Sequence, residues 1–310
     1  MANLLVMGGT NFVSSSLAKY LISKGYNVDI LTRGIRKVDY TGYRNHMICD
    51  RKSLQELRRT LKGYRYDYVF DISAYSKEDV ELLLNSLDLT NLKKYIFCSS
   101  GAVYKESNNI LTESAETGFN PNWGPYGTIK LDAENFIINT KIPYIILRPT
   151  YIYGENSNLY REAYFFNRII NKKVIPIPWG NNTKTQFINI NDFVRICESA
   201  MNSNLTCRIY NVTHPDIVDW ETLVLSCGKA INMEPTIKKV NVNNINLEAR
   251  SYFPFRDVTY LLSIDKLIKD KLYVPTIPLV EGLKATYEWY ITSDMQYVDY
   301  RLTKMDELIN

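Results

Sequence analysis

Histidine is nearly absent from this 310-residue chain: His46 and His214 are the only two. The five cysteines, Cys49, Cys98, Cys197, Cys207 and Cys227, are scattered and form no C-x-x-C pair, so neither a zinc ribbon nor a dithiol redox motif fits. An odd, dispersed set suits reduced thiols and a cytoplasmic location. No metal site is expected. No apolar run approaches the roughly 20 residues of a membrane span, and residues 1–7 run into glycine too soon for a signal-peptide core. Lys and Arg form no long block and the net charge is only +4, so the composition does not argue for nucleic acid. Internal repeats, low-complexity segments and a linker between independent domains are also missing. What is present is an ordinary core-forming composition, 45% hydrophobic and 23% charged. The 24 tyrosines exceed what a core needs, which predicts that some line a polar cleft or an interface.

Short apolar runs at residues 4–7, 28–31, 47–49, 68–70, 95–98 and 144–147 read as buried strands. Helical spacing lies between them, over 12–24, through Leu54, Leu57 and Leu61, over 80–87, and over 126–140 behind Pro125. The first strand, turn, helix and second strand fit in about thirty residues, the length of one βαβ unit. This alternation predicts an α/β fold with a doubly wound parallel Rossmann sheet over 1–150. A smaller α/β lobe is expected over 151–310, partly interleaved with the sheet around 186–213. Within it, 174–178, 186–190 and 209–212 read as strands, and 192–201 and 279–290 as helices, with Asp192 as an N-cap.

The turn after the first strand is Gly8-Gly9-Thr10-Asn11. A dinucleotide site needs small residues there, so that the backbone can approach a pyrophosphate seated on the helix N-terminus. Asn11 stands where a second fingerprint glycine would fall and Ser14 where a third would. Asn tolerates positive φ, which makes Asn11 a workable substitute, and Ser14 is small enough for helix–sheet packing. The second strand ends in Thr32-Arg33 with no acid. Arg33 can pair with a 2′-phosphate, which points to NADP, or stack on adenine, or lie in solvent. Asp50 can accept from an adenine amino group.

Tyr126 and Lys130 are four residues apart and share a helix face. A phenol titrates near pH ~10, and a nearby ammonium lowers that value. A serine hydroxyl, from Ser99-Ser100 upstream, can hold the oxygen whose proton moves.

These pieces, in order, resemble the extended and atypical short-chain dehydrogenase/reductases, the NAD-dependent epimerase/dehydratase group. The resemblance rests on Gly8-Gly9-Thr10-Asn11-Phe12-Val13, Cys98-Ser99-Ser100-Gly101-Ala102-Val103-Tyr104, Tyr126-Gly127-Thr128-Ile129-Lys130 and Leu147-Arg148-Pro149-Thr150-Tyr151-Ile152-Tyr153-Gly154. Phe187-Ile188-Asn189-Ile190-Asn191-Asp192 and Tyr210-Asn211-Val212-Thr213 extend it over nearly the whole chain. It implies Ser100 as the catalytic Ser/Thr, Tyr126 as the acid/base and Lys130 as the group that binds the nicotinamide ribose and depresses the tyrosine pKa. The implied NAD(P) contacts are Gly8, Thr10, Asn11, Phe12, Val13, Arg33, Asp50, Arg51, Ala74, Ser99, Tyr126, Lys130 and Pro149. Family dehydratases carry Asp-Glu after the catalytic Thr. Here Gly101-Ala102 stand there, so no acid pair is supplied for eliminating water. The altered glycine turn resembles an atypical branch that includes chloroplast RNA-binding proteins.

For the substrate, the resemblance implies a nucleotide sugar whose diphosphate is held by arginine. Arg256, in Phe253-Pro254-Phe255-Arg256-Asp257, and Arg161 are the candidates, with Tyr104 and Tyr151 beside the sugar. Trp179 can face the sugar or base, whereas Trp220 and Trp289 read as packing. Three functions follow: a nucleotide-sugar epimerase using NAD, an NADPH-dependent carbonyl reductase, or a cofactor-binding regulatory or RNA-binding protein. A homodimer through the helices over 80–87 and 126–140 is expected, and no membrane partner.

Overall fold

The computed structural model describes residues 2–293, 302 and 304. The first half alternates strand and helix: β1 (Asn3–Met7), α1 (Phe12–Ser23), β2 (Asn27–Thr32), β3 (Asn45–Ile48), α2 (Leu54–Leu61), β4 (Tyr68–Asp71), α3 (Lys77–Leu84), β5 (Lys94–Cys98), α4 (Pro125–Asn139) and β6 (Tyr144–Pro149). There follow β7 (Tyr151–Tyr153), α5 (Glu162–Ile170), β8 (Ile175–Trp179), β9 (Phe187–Asn189), α6 (Ile190–Asn202), β10 (Arg208–Val212), α7 (Trp220–Ala230), β11 (Ile237–Asn241), α8 (Asp265–Lys269) and α9 (Leu279–Thr292). The last seventeen residues of the lobe expected over 151–310 lie, apart from Leu302 and Lys304, outside the described residues.

Seven parallel strands form one sheet in the order β10-β6-β5-β4-β1-β2-β3. The order in which successive strands are added reverses between β1 and β4, the switch point outside whose carboxyl ends such sheets bind ligands. Side chains alternate across the strands. Leu4, Val6, Ile30, Phe70, Ile96 and Leu147 face α1 and α6, where Leu17, Leu21, Phe193 and Ile196 cover them. Leu5, Met7, Leu31, Val69, Phe97 and Ile146 face α2, α3 and α4, covered by Leu57, Val80, Leu83, Ala133 and Ile137. Each such side chain contributes about 1.5–3 kcal/mol by leaving water. Both faces are buried, so the strands read as continuous apolar runs rather than alternating ones.

A second core belongs to the later elements. Tyr151, Phe165, Phe166, Trp220, Phe253 and Phe255 pack with α5, α7 and α9 and the short pairs β7–β9 and β8–β11. Trp220 lies 5.2 Å from Phe253 and 5.4 Å from Phe255, ring to ring, as a packing residue does. Trp179 ends β8 half-exposed, with the Lys239 ammonium 4.0 Å above its ring.

Two sequence expectations are corrected here. The helix expected from residue 80 starts at Lys77, because Ser76 and Asp79 form a reciprocal capping box. Asp192 is not an N-cap: Asn189 caps α6, accepting from the Asn191 N–H. Asp192 is instead fully buried and accepts from Tyr273 Oη (2.8 Å), Thr276 N (3.1 Å) and Ile277 N (2.9 Å), tying the segment before α9 to α6. Other tyrosines belong to the core. Tyr66, Tyr95 and Tyr210 are fully buried, and each gives its hydroxyl to a carboxylate, Asp29, Asp71 and Asp270 respectively.

Candidate active site

The strand ends at the switch point bring the predicted residues together. β1 ends at the glycine turn. Gly8 and Gly9 take φ of +107° and +128°, and a Cβ on Gly8 would stand 2.7 Å from the Ser14 side chain. The Ser14 hydroxyl accepts from Gly9 N (2.9 Å) and donates to Asn11 O (2.9 Å), so Ser14 packs and pins the turn. Asn11 is not in the positive-φ region that its choice as a glycine substitute assumed: its φ is −141°, and Phe12 takes the unusual φ of +27° instead. The Asn11 side chain does not cap α1. Its Oδ1 accepts from Arg36 Nη1 at 2.9 Å. Arg33 is exposed. A turn opened by two glycines and leading into α1, with a cationic side chain fastened at its lip, fits a dinucleotide pyrophosphate.

Beside this turn, β4 leads to Ala74, which donates its N–H to Asp71 Oδ1 (3.1 Å) and gives its carbonyl to Lys130 Nζ (2.7 Å). Lys130 projects from α4, is 4% exposed, and also donates to Cys98 O at 2.8 Å. Its ammonium sits 4.9 Å from the Phe97 ring centroid. Burial lowers its pKa.

α4 begins at Pro125, with Gly124 before it at φ +57°. Tyr126 is then on its first turn, 37% exposed at the mouth of the site, its ring 6.3 Å from that of Tyr75. Ser100 follows β5 and caps a short 3-10 turn over Gly101–Val103, accepting from Ala102 N at 3.2 Å. Tyr126 and Tyr260 are its neighbours. Burial pushes the Tyr126 phenol up to about 12, against the lowering influence of Ser100 and of the Arg161 charge. The depression expected from Lys130 is therefore not built into these residues alone; the ammonium is directed at two backbone carbonyls.

Several expected contacts are committed elsewhere. Tyr104 is buried, its hydroxyl donating to Asn211 Oδ1 (2.7 Å) and receiving Arg148 Nη1 (2.8 Å), so its side chain does not face a sugar. Ser99 donates to Glu134, which also holds Arg148 through Nε at 3.0 Å. This buried cluster joins α4, β5 and β6 behind the site, and the Ser99 side chain is not available to a cofactor. Arg51 forks onto both Asp71 oxygens at 2.9 Å, so it braces the end of β4 rather than reaching for adenine. Asp50 is exposed and accepts from Lys52 N at 2.9 Å. Pro149 ends β6, its carbonyl accepting from Tyr260 Oη at 3.0 Å.

On the substrate side, Tyr151, Arg161 and Arg256 do converge. Tyr151 is 5% exposed among Trp123, Phe187, Phe255 and Tyr260. Its hydroxyl has no hydrogen-bond partner among the described residues. The Arg161 guanidinium lies 5.0 Å from the Tyr151 ring and 5.3 Å from Phe255; that of Arg256 lies 5.1 Å from Trp123. Burial pushes the Tyr151 phenol up to about 12, and both charges pull the other way. Sequence reasoning missed Tyr260, Arg36 and the Glu134–Arg148 pair. Only their long-range partners reveal them.

The profile of the NAD dependent epimerase/dehydratase family matches residues 4–213. The chain is 29% identical to the chloroplast stem-loop binding protein of 41 kDa b of Arabidopsis thaliana, covering 92% of this chain and 78% of that protein. It is 25% identical to a dTDP-D-glucose 4,6-dehydratase of Dictyostelium discoideum, over 74% of this chain and 61% of that one. The UDP-glucose 4-epimerase of Thermotoga maritima, solved with UDP-glucose, superposes with a TM-score of 0.75 at 21% identity, covering 93% and 98% of the two chains. With its parallel seven-stranded sheet and its Ser100–Tyr126–Lys130 cluster, this chain belongs to the NAD dependent epimerase/dehydratase family.

Proposed function

We propose that this protein is an NAD-dependent epimerase of a nucleotide sugar. One observation carries the reading: Ser100 follows β5, Tyr126 and Lys130 lie on the first turns of α4, which touches the Ser100 turn through Gly127, and residues 101 and 102 carry no acid. That set suits moving a proton and a hydride without expelling water. Tyr126 as phenolate takes the proton of a sugar hydroxyl, and Ser100 holds the oxygen as it becomes a carbonyl. Lys130, anchored by Ala74 O and Cys98 O, orients a nicotinamide ribose and supplies positive charge near Tyr126. Bound NAD would accept the hydride and return it to the opposite face of the ketone. Arg161 and Arg256, stacked on aromatic rings, would receive diphosphate oxygens, with residues 151–310 as the substrate lobe. Two copies pairing through α3 and α4, whose Ile129 and Ile138 are exposed, are expected as a dimer.

The test is a panel of UDP-, GDP-, dTDP- and CDP-sugars followed by NMR. An epimerase interconverts two sugars with no net cofactor consumption. Stoichiometric NADPH consumption points instead to a reductase acting through the same groups. Loss of turnover by at least about 100-fold in Tyr126→Phe is required by either; an active Phe variant sinks both.

A second reading is favoured by the Arabidopsis relative, whose identity and coverage exceed those of the dehydratase. In it, the protein binds an RNA stem-loop. Tight, salt-dependent binding of a stem-loop probe, with no turnover across the panel, selects it.

A further inference from the structure

Residues 72–75, between β4 and α3, run between the glycine turn and Lys130. A Cβ built on Gly8 would stand 3.8 Å from the Ser73 Cβ. The Ala74 carbonyl accepts from Lys130 Nζ at 2.7 Å, and that ammonium lies 5.5 Å from the Tyr75 ring centroid. The group that fastens this segment is set back from the site. Asp71 ends β4 and is fully buried. Its Oδ1 accepts from Ala74 N at 3.1 Å and from Arg51 Nη1 at 2.9 Å. Its Oδ2 accepts from Arg51 Nη2 at 2.9 Å and from the Tyr95 hydroxyl at 2.6 Å. Arg51 Nη1 also donates to Ser73 Oγ at 2.8 Å. One carboxylate thus joins β4, β5 and the turn after β3 to the amide of the residue whose carbonyl holds Lys130.

We propose that Asp71, gripped by Arg51 and Tyr95, is a positioning residue for Lys130: it fixes Ala74, and Ala74 fixes the ammonium. This rests on the reading above in which Lys130 serves a nicotinamide ribose. The donor count explains why the position matters. An ammonium has three N–H groups on a flexible stem. Two go to Ala74 O and Cys98 O, which sets the direction of the third. The two carbonyls are not equally secure. Cys98 is the last residue of β5, paired in the sheet with Leu147 on β6. Ala74 lies in no strand or helix, and its N–H is held by Asp71. With that hold removed, the ammonium keeps one fixed carbonyl and can swing about it.

The double variant Asp71→Ala/Arg51→Met removes the grip and one charge of each sign. Replacing both members of a buried ion pair by apolar side chains is often near neutral for stability, so the urea midpoint should stay close to that of the wild type. NADH affinity, read by fluorescence titration, should fall about fivefold or more. In a Lys130→Met background the same double change should cost less than about twofold, because Asp71 acts through Lys130. A residue that only stabilises the sheet would leave the affinity of the folded protein unchanged. That result, or an undiminished loss in the Lys130→Met background, overturns the proposal. Amide hydrogen exchange at Ala74 needs neither the double variant nor a cofactor. Its protection in Lys130→Met should stay within about tenfold of wild type, since Asp71 still holds the amide. A larger loss would show that Lys130 holds the segment, and overturns the proposal. If the wild type binds no NADH, the reading of Lys130 fails while the exchange still decides what holds Ala74.

Discussion

A Cβ built on Gly127 would stand 2.0 Å from the carbonyl oxygen of Ala102. The helix that carries Tyr126 thus lies in backbone contact with the turn that carries Ser100, at a distance only glycine permits. Helix propensity alone would make Gly127→Ala stabilising by about 1 kcal/mol. The clash with backbone decides the sign, because a carbonyl in a capped turn cannot rotate away. Gly127→Ala is expected to cost about 1–3 kcal/mol in urea unfolding and to lower turnover roughly 100-fold, the effect of shifting a catalytic group by about 1 Å. Unchanged stability and turnover would show that α4 does not need this approach.

Lys130 is held by two carbonyls rather than by a carboxylate. Lys130→Met keeps the length and removes the charge, leaving Ala74 O and Cys98 O without their donor. Turnover should fall at least about 100-fold, and NADH affinity, measured by fluorescence titration, about tenfold. Stability should change less, since burial already disfavours the ammonium and lowers its pKa. A Met variant with wild-type NADH affinity would remove Lys130 from the cofactor site.

The sequence points to Arg33 as the residue selecting a 2′-phosphate, but it is Arg36 that the fold fastens to the glycine turn, through Asn11. Arg36→Ala should lower NADPH affinity about fivefold or more relative to NADH, and Arg33→Ala less than about twofold. The reverse ranking would return the role to Arg33.

What could be read in advance was local. Leu4 to Met7 and Tyr95 to Cys98 are apolar runs long enough for one buried strand, and Tyr126 and Lys130 are one helical turn apart. Those patterns place β1, β5, α4 and the candidate pair Tyr126 and Lys130 without knowledge of the rest. Tyr104 shows the limit. It stands in a motif next to catalysis, but its direction is set by Arg148 and Asn211, 44 and 107 residues away. Tyr260 shows the converse, a residue with no local signal whose partner Pro149 lies 111 residues upstream. Asp192 was legible as a helix-start residue and wrong in role, because three donors from 273–277 bury it.

Glu162 opens α5 at 2% exposure, and its Oε1 has no hydrogen-bond partner among the described residues. Burial pushes its pKa from an ordinary 4.5 up to about 7, although the Arg161 charge pulls the other way. The folded protein therefore binds this proton more tightly than the unfolded chain does. Its contribution to stability is complete below the unfolded value of 4.5, declines as pH rises towards about 7, and stays lost above that. The loss is at most about 3 kcal/mol. Depressed carboxylates such as Asp219, held near about 2 by Thr222 and Lys184 against burial, lose their stabilisation on the other side, as pH falls, so the two windows separate. Glu162→Gln removes the charge and keeps the shape. Urea unfolding should then show wild type and variant nearly equal at pH 4.5, with the variant gaining through pH 7 and remaining more stable at pH 8. A wild-type slope preserved in the Gln variant would place that pH dependence on another group.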